Sequence, residues 1–177
     1  LSPEKGADLL LQALRGADPM RAVIVGDGEE RPRLERLAAE LGVADRVTFA
    51  GFRAAAADLL PAFDVLALSS RTEGTPMVLL ESVSAGIPIV SFAVGGIPDL
   101  LDEQSAWLVP PLDVNGLRVA LGAALVSAPE RAARASAARQ RLSERLSPER
   151  WLARISLVYD QAARVARRES QAGDRTT

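Results

Sequence analysis

The sequence predicts an α/β domain built on a doubly wound, mostly parallel sheet with helices on both faces. Three observations predict it. Short apolar runs alternate along the chain with segments whose apolar residues recur at helical spacing, the order that crossover-connected parallel strands require. Turn residues (Gly, Pro, Ser, Asp) separate the two kinds of segment. The composition is 48% apolar, 25% charged and only 4% aromatic, so the core is aliphatic side chains and alanine. At 177 residues the chain suits one such domain. Right-handed crossovers make the arrangement Rossmann-like.

The elements follow in order. Residues 1–6 are a polar entry, after which Ala7, Leu10, Leu11 and Leu14 line one face of a helix that Gly16 and Pro19 end. Residues 22–25 (AVIV) read as a buried strand ending at the turn Gly26-Asp27-Gly28. Leu34, Leu37, Ala38 and Leu41 repeat the helical spacing, with Gly42 as the stop. Residues 47–50 are the next strand, and a short helix at 55–60 is expected to stop at Pro61. Residues 65–68 are a strand, 69–76 a loop and 77–85 a helix closed by Gly86. Residues 89–92 form a strand, Gly95-Gly96 a turn into a short helix at 98–101, and 107–109 a last edge strand before Pro110-Pro111. Three helices finish the chain, at 114–127, 129–142 and 148–167, and the tail 169–177 lacks apolar anchors and is expected to be disordered. The domain thus spans 1–168.

Composition excludes several chemistries. Cysteine and histidine are both absent, so this chain supplies no disulfide, thiolate nucleophile, Cys/His zinc site or Ser-His-Asp triad. No clustered acidic loop suggests a metal. The net charge of −2 lacks the basic footprint of a nucleic-acid binder, although residues 130–177 hold 11 Arg against 6 acids. That basic region reads as a solvated face. No apolar run is long enough to span a membrane, and the first residue is Leu, which suggests a piece of a longer chain.

In such sheets ligands bind outside the carboxyl ends of the strands, where the loops 26–30, 69–76 and 93–98 lie. Pro76 fits the first turn of the following helix, which brings the backbone N–H groups of Gly74, Thr75 and Met77 to a helix N-terminus, a site suited to an anion. Glu73 stands just before it and Glu81 within the helix, and a carboxylate suits a sugar diol. The bland alternative is that Glu73 caps the helix and Glu81 is a solvated surface residue. Lys5 is the one lysine among 21 basic residues; it either meets a phosphate as a point charge or is there by chance. Gly26-Asp27-Gly28 starts a dinucleotide fingerprint, but Arg31 occupies the third glycine position, so the match fails. Gly95-Gly96 permits close backbone approach to a ligand or simply a tight turn.

Taken together, Leu-Ser-Pro-Glu-Lys-Gly at 1–6, Val-Gly-Asp-Gly-Glu-Glu-Arg at 25–31, Gly-Phe-Arg at 51–53, Glu73 and Glu81 in an E-x7-E pattern, and Val-Gly-Gly-Ile-Pro-Asp at 94–99 resemble the C-terminal, donor-binding domain of retaining glycosyltransferases of the GT-B architecture, family 4. The resemblance implies that Lys5 and Glu73 are the catalytic pair, Lys5 on the donor diphosphate and Glu73 on the sugar hydroxyls. It implies donor contacts from Gly74, Thr75, Pro76, Met77, Glu81, Gly26 and Gly28, with Phe52 and Arg53 beside the base. The donor would be a nucleoside diphosphate sugar, UDP or GDP first, and transfer would retain anomeric configuration without cofactor or metal. It further implies that the first central strand and the N-terminal acceptor domain are absent, that a crossover helix spans 146–168, and that the chain alone is inactive and prone to self-association. The cytoplasm, with at most weak peripheral membrane contact, is the expected location. A regulatory binding domain of the same fold, or a methyl-donor enzyme on a Rossmann sheet, are the other readings.

Overall fold

The computed structural model describes residues 1–17, 19–147 and 152–162. A 3-10 turn at Pro3–Lys5 leads into α1 (Ala7–Leu14), β1 (Ala22–Val25), α2 (Arg31–Glu40), β2 (Val47–Gly51), a 3-10 segment (Ala56–Ala62), β3 (Leu66–Leu68), α3 (Met77–Ala85), β4 (Ile89–Phe92), α4 (Ile97–Leu100), β5 (Trp107–Val109), α5 (Val114–Val126) and α6 (Ala128–Arg145). Residues 1–141 form one compact unit and 142–177 a second. In the second, residues 152–162 are helical and all but Ile155 are exposed. Of the expected final helix, Trp151 and Val165 lie outside the described residues, as does the tail 169–177.

Every strand pair is parallel, and the α/β, Rossmann-like expectation stands. The strands are nevertheless divided between two sheets, β1-β2 and β3-β4-β5, rather than joined in one. Exposure shows the division. β4 has a partner on each side and is buried at all four positions. In β1, Val23 is 42% exposed, and in β3 both Leu66 and Ala67 are only half-buried. β1 and β3 therefore each keep one open edge.

Each sheet has its own packing. Ile24 of β1 sits between Leu11 and Leu14 of α1 and Leu34 and Ala38 of α2, with Val43 closing the cluster. In the other sheet, α3 and α5 both pack on β4, whose Phe92 is wholly buried. α1 also packs on α5, which ties the two regions together.

Two local expectations change. The short helix near residue 60 is 3-10 and continues through Pro61. An i→i+3 turn survives there because the Phe63 N–H still reaches the Leu60 carbonyl at 3.0 Å, past the proline that lacks a donor. Pro76 is the N-cap of α3, one residue before the first turn, with extended backbone.

The arginine-rich face of α6 is not simply solvated. Arg131 donates to the carbonyls of Ala124 and Leu125 at 2.9 Å each, at the C-terminus of α5. Arg141 donates to Leu100 at the end of α4, and Arg139 to Ser84 near the end of α3. Arg134 donates to the Ala106 carbonyl and stacks over the Trp107 ring at 4.4 Å. Guanidinium groups thus satisfy carbonyls that helix ends leave without partners, and they complement the negative end of each helix dipole. At the end of α1, Arg46 donates at 3.0 Å to the Leu14 carbonyl, which also accepts from the Ala17 N–H at 3.1 Å.

Phe92→Ala should destabilise the domain by about 3–5 kcal/mol in urea unfolding. Val126→Ala, at a position 87% exposed, should change stability by less than about 0.5 kcal/mol.

Candidate functional site

The loop between β3 and α3 is the centre of the site. It leaves the carboxyl end of β3, where parallel α/β sheets place ligands. Its first residues, Ser69 and Ser70, are buried. The Ser70 hydroxyl donates to Glu73 Oε1 at 2.7 Å, turning the carboxylate back over the loop. The Lys5 ammonium donates to the same oxygen at 2.9 Å. The Glu73 side chain is 8% exposed and that of Lys5 57%. Both bonds fall on Oε1, so Glu73 Oε2 has no partner among the described residues and remains an acceptor for a ligand.

The two carriers of this pair lie 68 residues apart in sequence. Three contacts bring them together. First, Gly6 packs so closely on the Ser69 carbonyl that a Cβ there would overlap it, and its φ of +61° is one that a side chain disfavours. Second, Gly95, with φ +53°, packs against the Glu73 carbonyl in the same way, and the Gly96 N–H donates to that carbonyl at 3.3 Å. The glycine pair is thus a close approach to the β3 loop, and the tight turn serves that approach. Third, Arg71 binds the N-terminal segment. Its backbone N–H donates to Glu4 at 2.7 Å and its guanidinium to Pro3 at 2.7 Å. The guanidinium also holds Asp8 through both carboxylate oxygens, at 2.8 and 2.7 Å.

Asp8 is buried. The hydrogen bonds from Arg71 outweigh its desolvation and hold its pKa below the ordinary 3.8, while the same pair raises that of Arg71. Neither Asp8 nor Arg71 stands out in the sequence. Both look like ordinary surface charges, and no spacing rule links positions 8 and 71.

The expected residues 74–77 and Glu81 follow on the same loop and on α3. Glu73 does not cap α3: the helix has no side-chain cap at its N-terminus, so its first N–H groups are left for a ligand or water. Gly74 and Thr75 are exposed beside the Gly95-Gly96 turn, Pro76 is buried and Met77 is 65% exposed. Glu81 lies on α3, exposed, with no hydrogen bond or ion pair among the described residues.

A second group forms at the ends of β1 and β2. The Gly26 N–H donates to the Gly51 carbonyl at 2.9 Å, and Phe52 and Arg53 follow, Phe52 being 76% exposed. Gly28 lies directly against the backbone of Leu1, whose carbonyl accepts from the Glu30 N–H at 3.4 Å. Residues 1–5 therefore run from the β1 loop to the β3 loop, with Leu1 on one and Lys5 on the other. No hydrogen bond or ion pair joins Phe52, Arg53 or Glu81 to the Lys5–Glu73 centre among the described residues. Among those residues there is also no group of three or more acids placed to hold a metal, and no helix long and apolar enough to cross a membrane.

The family model described as "Glycosyl transferases group 1" matches residues 1–126. The chain belongs to this family. Among curated relatives, a mannosyltransferase of Mycolicibacterium smegmatis, described as GDP-mannose-dependent and acting on phosphatidylinositol monomannoside, is 37% identical over 75% of this chain and 38% of its own length. A D-inositol 3-phosphate glycosyltransferase of Mycobacteroides abscessus is 36% identical over 71% of this chain and 30% of its own. The chain thus spans well under half the length of these curated relatives. Among solved structures, Anabaena HepE in complex with UDP superposes with a TM-score of 0.82 at 28% identity, covering 91% of this chain and 46% of that one. HepE with UDP-glucose gives 0.80. The GT-B expectation stands.

The Asp8–Arg71 pair makes stability depend on pH. A carboxylate whose pKa is depressed by folding contributes stability above its unfolded pKa and loses it as pH falls through the folded value. Thermal unfolding of the wild type should therefore weaken from about pH 5 downward. Asp8→Asn should cost roughly 1–3 kcal/mol at neutral pH. The variant's remaining stability should fall less steeply with acid than the wild type's.

Proposed function

We propose that this chain binds the donor of a retaining glycosyl transfer, a nucleoside diphosphate sugar. The observation that carries the reading is the Lys5–Glu73 centre beside the uncapped N-terminus of α3. An ammonium and free backbone N–H groups suit a diphosphate, and a carboxylate with one open oxygen suits sugar hydroxyls. Lys5 is more than half exposed, so its bond to Glu73 is weakly held and a phosphate can replace it.

In this reading Lys5 and the N–H groups around Gly74, Thr75 and Met77 hold the diphosphate. Pro76 fixes the start of α3. Glu73 accepts from the sugar and Glu81 from the ribose. Phe52 and Arg53 lie beside the base, and Gly26 and Gly28 leave room at the β1 loop. The acceptor oxygen forms its bond to the anomeric carbon on the face from which the diphosphate departs. That carbon–oxygen bond breaks, the electron pair leaves with the diphosphate, and a diphosphate oxygen takes the acceptor's proton. Cation and helix terminus stabilise the leaving charge. No residue of this chain need act as a base, in keeping with the lack of histidine.

The HepE complexes make UDP the first nucleotide to test, and the GDP-mannose-dependent relatives make GDP the second. The relatives are more than twice as long as their matched parts, and in our reading the unmatched part binds the acceptor. The chain alone should then bind donor without transferring sugar.

Isothermal titration with UDP, GDP and their sugar conjugates tests this. The wild type should bind one nucleotide selectively. Lys5→Ala and Glu81→Ala should each weaken that binding by roughly 1–3 kcal/mol. Binding equal to the wild type in both variants would refute the assigned roles.

A further inference from the structure

We propose that the Arg71–Asp8 ion pair positions the donor site, by clasping the segment that carries Lys5 to the loop that carries Glu73. The pair is not placed against the ligand. It acts on the two groups that would be.

The geometry is specific. Arg71 lies two residues before Glu73, and its contacts fall on both sides of Lys5: the carbonyls of Pro3 and Glu4 before it, and the carboxylate of Asp8 after it. The Pro3 carbonyl it binds also accepts from the Gly6 N–H at 3.1 Å, closing the turn whose last residue is Lys5. One planar guanidinium therefore fixes the turn and the first helical turn after it at the same time. That is a task for a rigid fork of donors rather than for a flexible ammonium. Asp8 is buried and held through both oxygens, so the clasp has one geometry rather than many. By contrast the Lys5 side chain is more than half exposed and is held only through its bond to Glu73.

The consequence for the site is direct. With the clasp closed, Lys5 Nζ and Ser70 Oγ converge on Glu73 Oε1. With it open, the 3-10 turn is held near the loop by the Arg71 backbone N–H on the Glu4 carbonyl at 2.7 Å, the Ser69 hydroxyl on the Lys5 carbonyl at 3.4 Å and the Gly6 contact, and no side chain ties it to the first turn of α1. In ligand terms the inference rests on the donor reading above, but the clasp itself is testable without ligand.

Lys5 is the one lysine in the sequence, so reductive ¹³C-methylation gives a single ε-dimethyl-lysine NMR signal. Glu73→Gln defines where that signal lies when the ion pair is gone. Arg71→Met and Asp8→Asn should each move it most of the way to the Glu73→Gln position. Arg118→Ala, a change at a half-buried position on α5 whose side chain bonds Asn115, should leave it in place. If both clasp variants are folded by circular dichroism and keep the wild-type signal, the proposal is overturned. Should Arg71→Met fail to fold, Arg71→Lys is read in its place, since an ammonium cannot span Pro3 and both Asp8 oxygens, and the same two outcomes apply.

Nucleotide titration supplies a second readout that loss of stability alone would not move. Arg71→Lys should weaken UDP or GDP binding about tenfold in the wild type, yet have no further effect in the Lys5→Ala background. Additive losses would overturn the positioning role. If the wild type binds neither nucleotide, the donor reading fails, and the methyl signal still decides whether the clasp sets the Lys5–Glu73 geometry.

Discussion

The bidentate pair between Arg71 and Asp8 is the constraint from which the site follows. It is buried on the carboxylate side, charge-assisted on every bond, and it reaches across more than sixty residues of sequence. A surface ion pair would fix little. The Arg71 guanidinium also binds the Pro3 carbonyl of the segment that carries Lys5, so side-chain electrostatics become backbone position. The two close glycine approaches, Gly6 on Ser69 and Gly95 on Glu73, then leave the β3 loop little freedom. A carboxylate held in this way has a defined orientation before any ligand arrives, which lowers the cost of binding.

The same use of arginine recurs throughout the fold. Strands of three to five residues and helices of modest length leave many helix ends close to the sheet rims. Their carbonyls are satisfied by Arg46, Arg131, Arg139 and Arg141 rather than by glycine caps alone. Four of the arginines of α6 (Arg131, Arg134, Arg139 and Arg141) are thus engaged with backbone carbonyls rather than presented as a basic face.

What the sequence could reveal follows the range of the interactions. The strands at 22–25, 89–92 and 107–109 and the helix at 77–85 fall where local pattern places them, because apolar runs, helical spacing and Gly86 are local signals. Pro61 misleads, because a proline that stops an α-helix is tolerated in a 3-10 segment. The division into two sheets fits the absent first central strand that the resemblance implied, whereas no residue of β1 or β3 by itself marks an open edge. Lys5, as the one lysine, and Glu73, beside the start of a helix, stood out from the residues, and the family resemblance supplied their roles. The pair that aligns them, Asp8 and Arg71, carried no mark at all: a long-range ion pair leaves no periodicity. The arginines of α6 were misjudged for the same reason, as their partners are backbone carbonyls, which no side chain encodes.

In the proposed donor complex, Lys5 exchanges Glu73 for the phosphates of the nucleotide. The most direct measurement follows the single Lys5 ε-dimethyl signal while UDP, and then GDP, is added to the wild-type protein. One of them should produce a saturable shift, absent when the corresponding nucleoside without phosphates is added. A Lys5 signal that stays in place while that nucleotide demonstrably saturates the protein would contradict it.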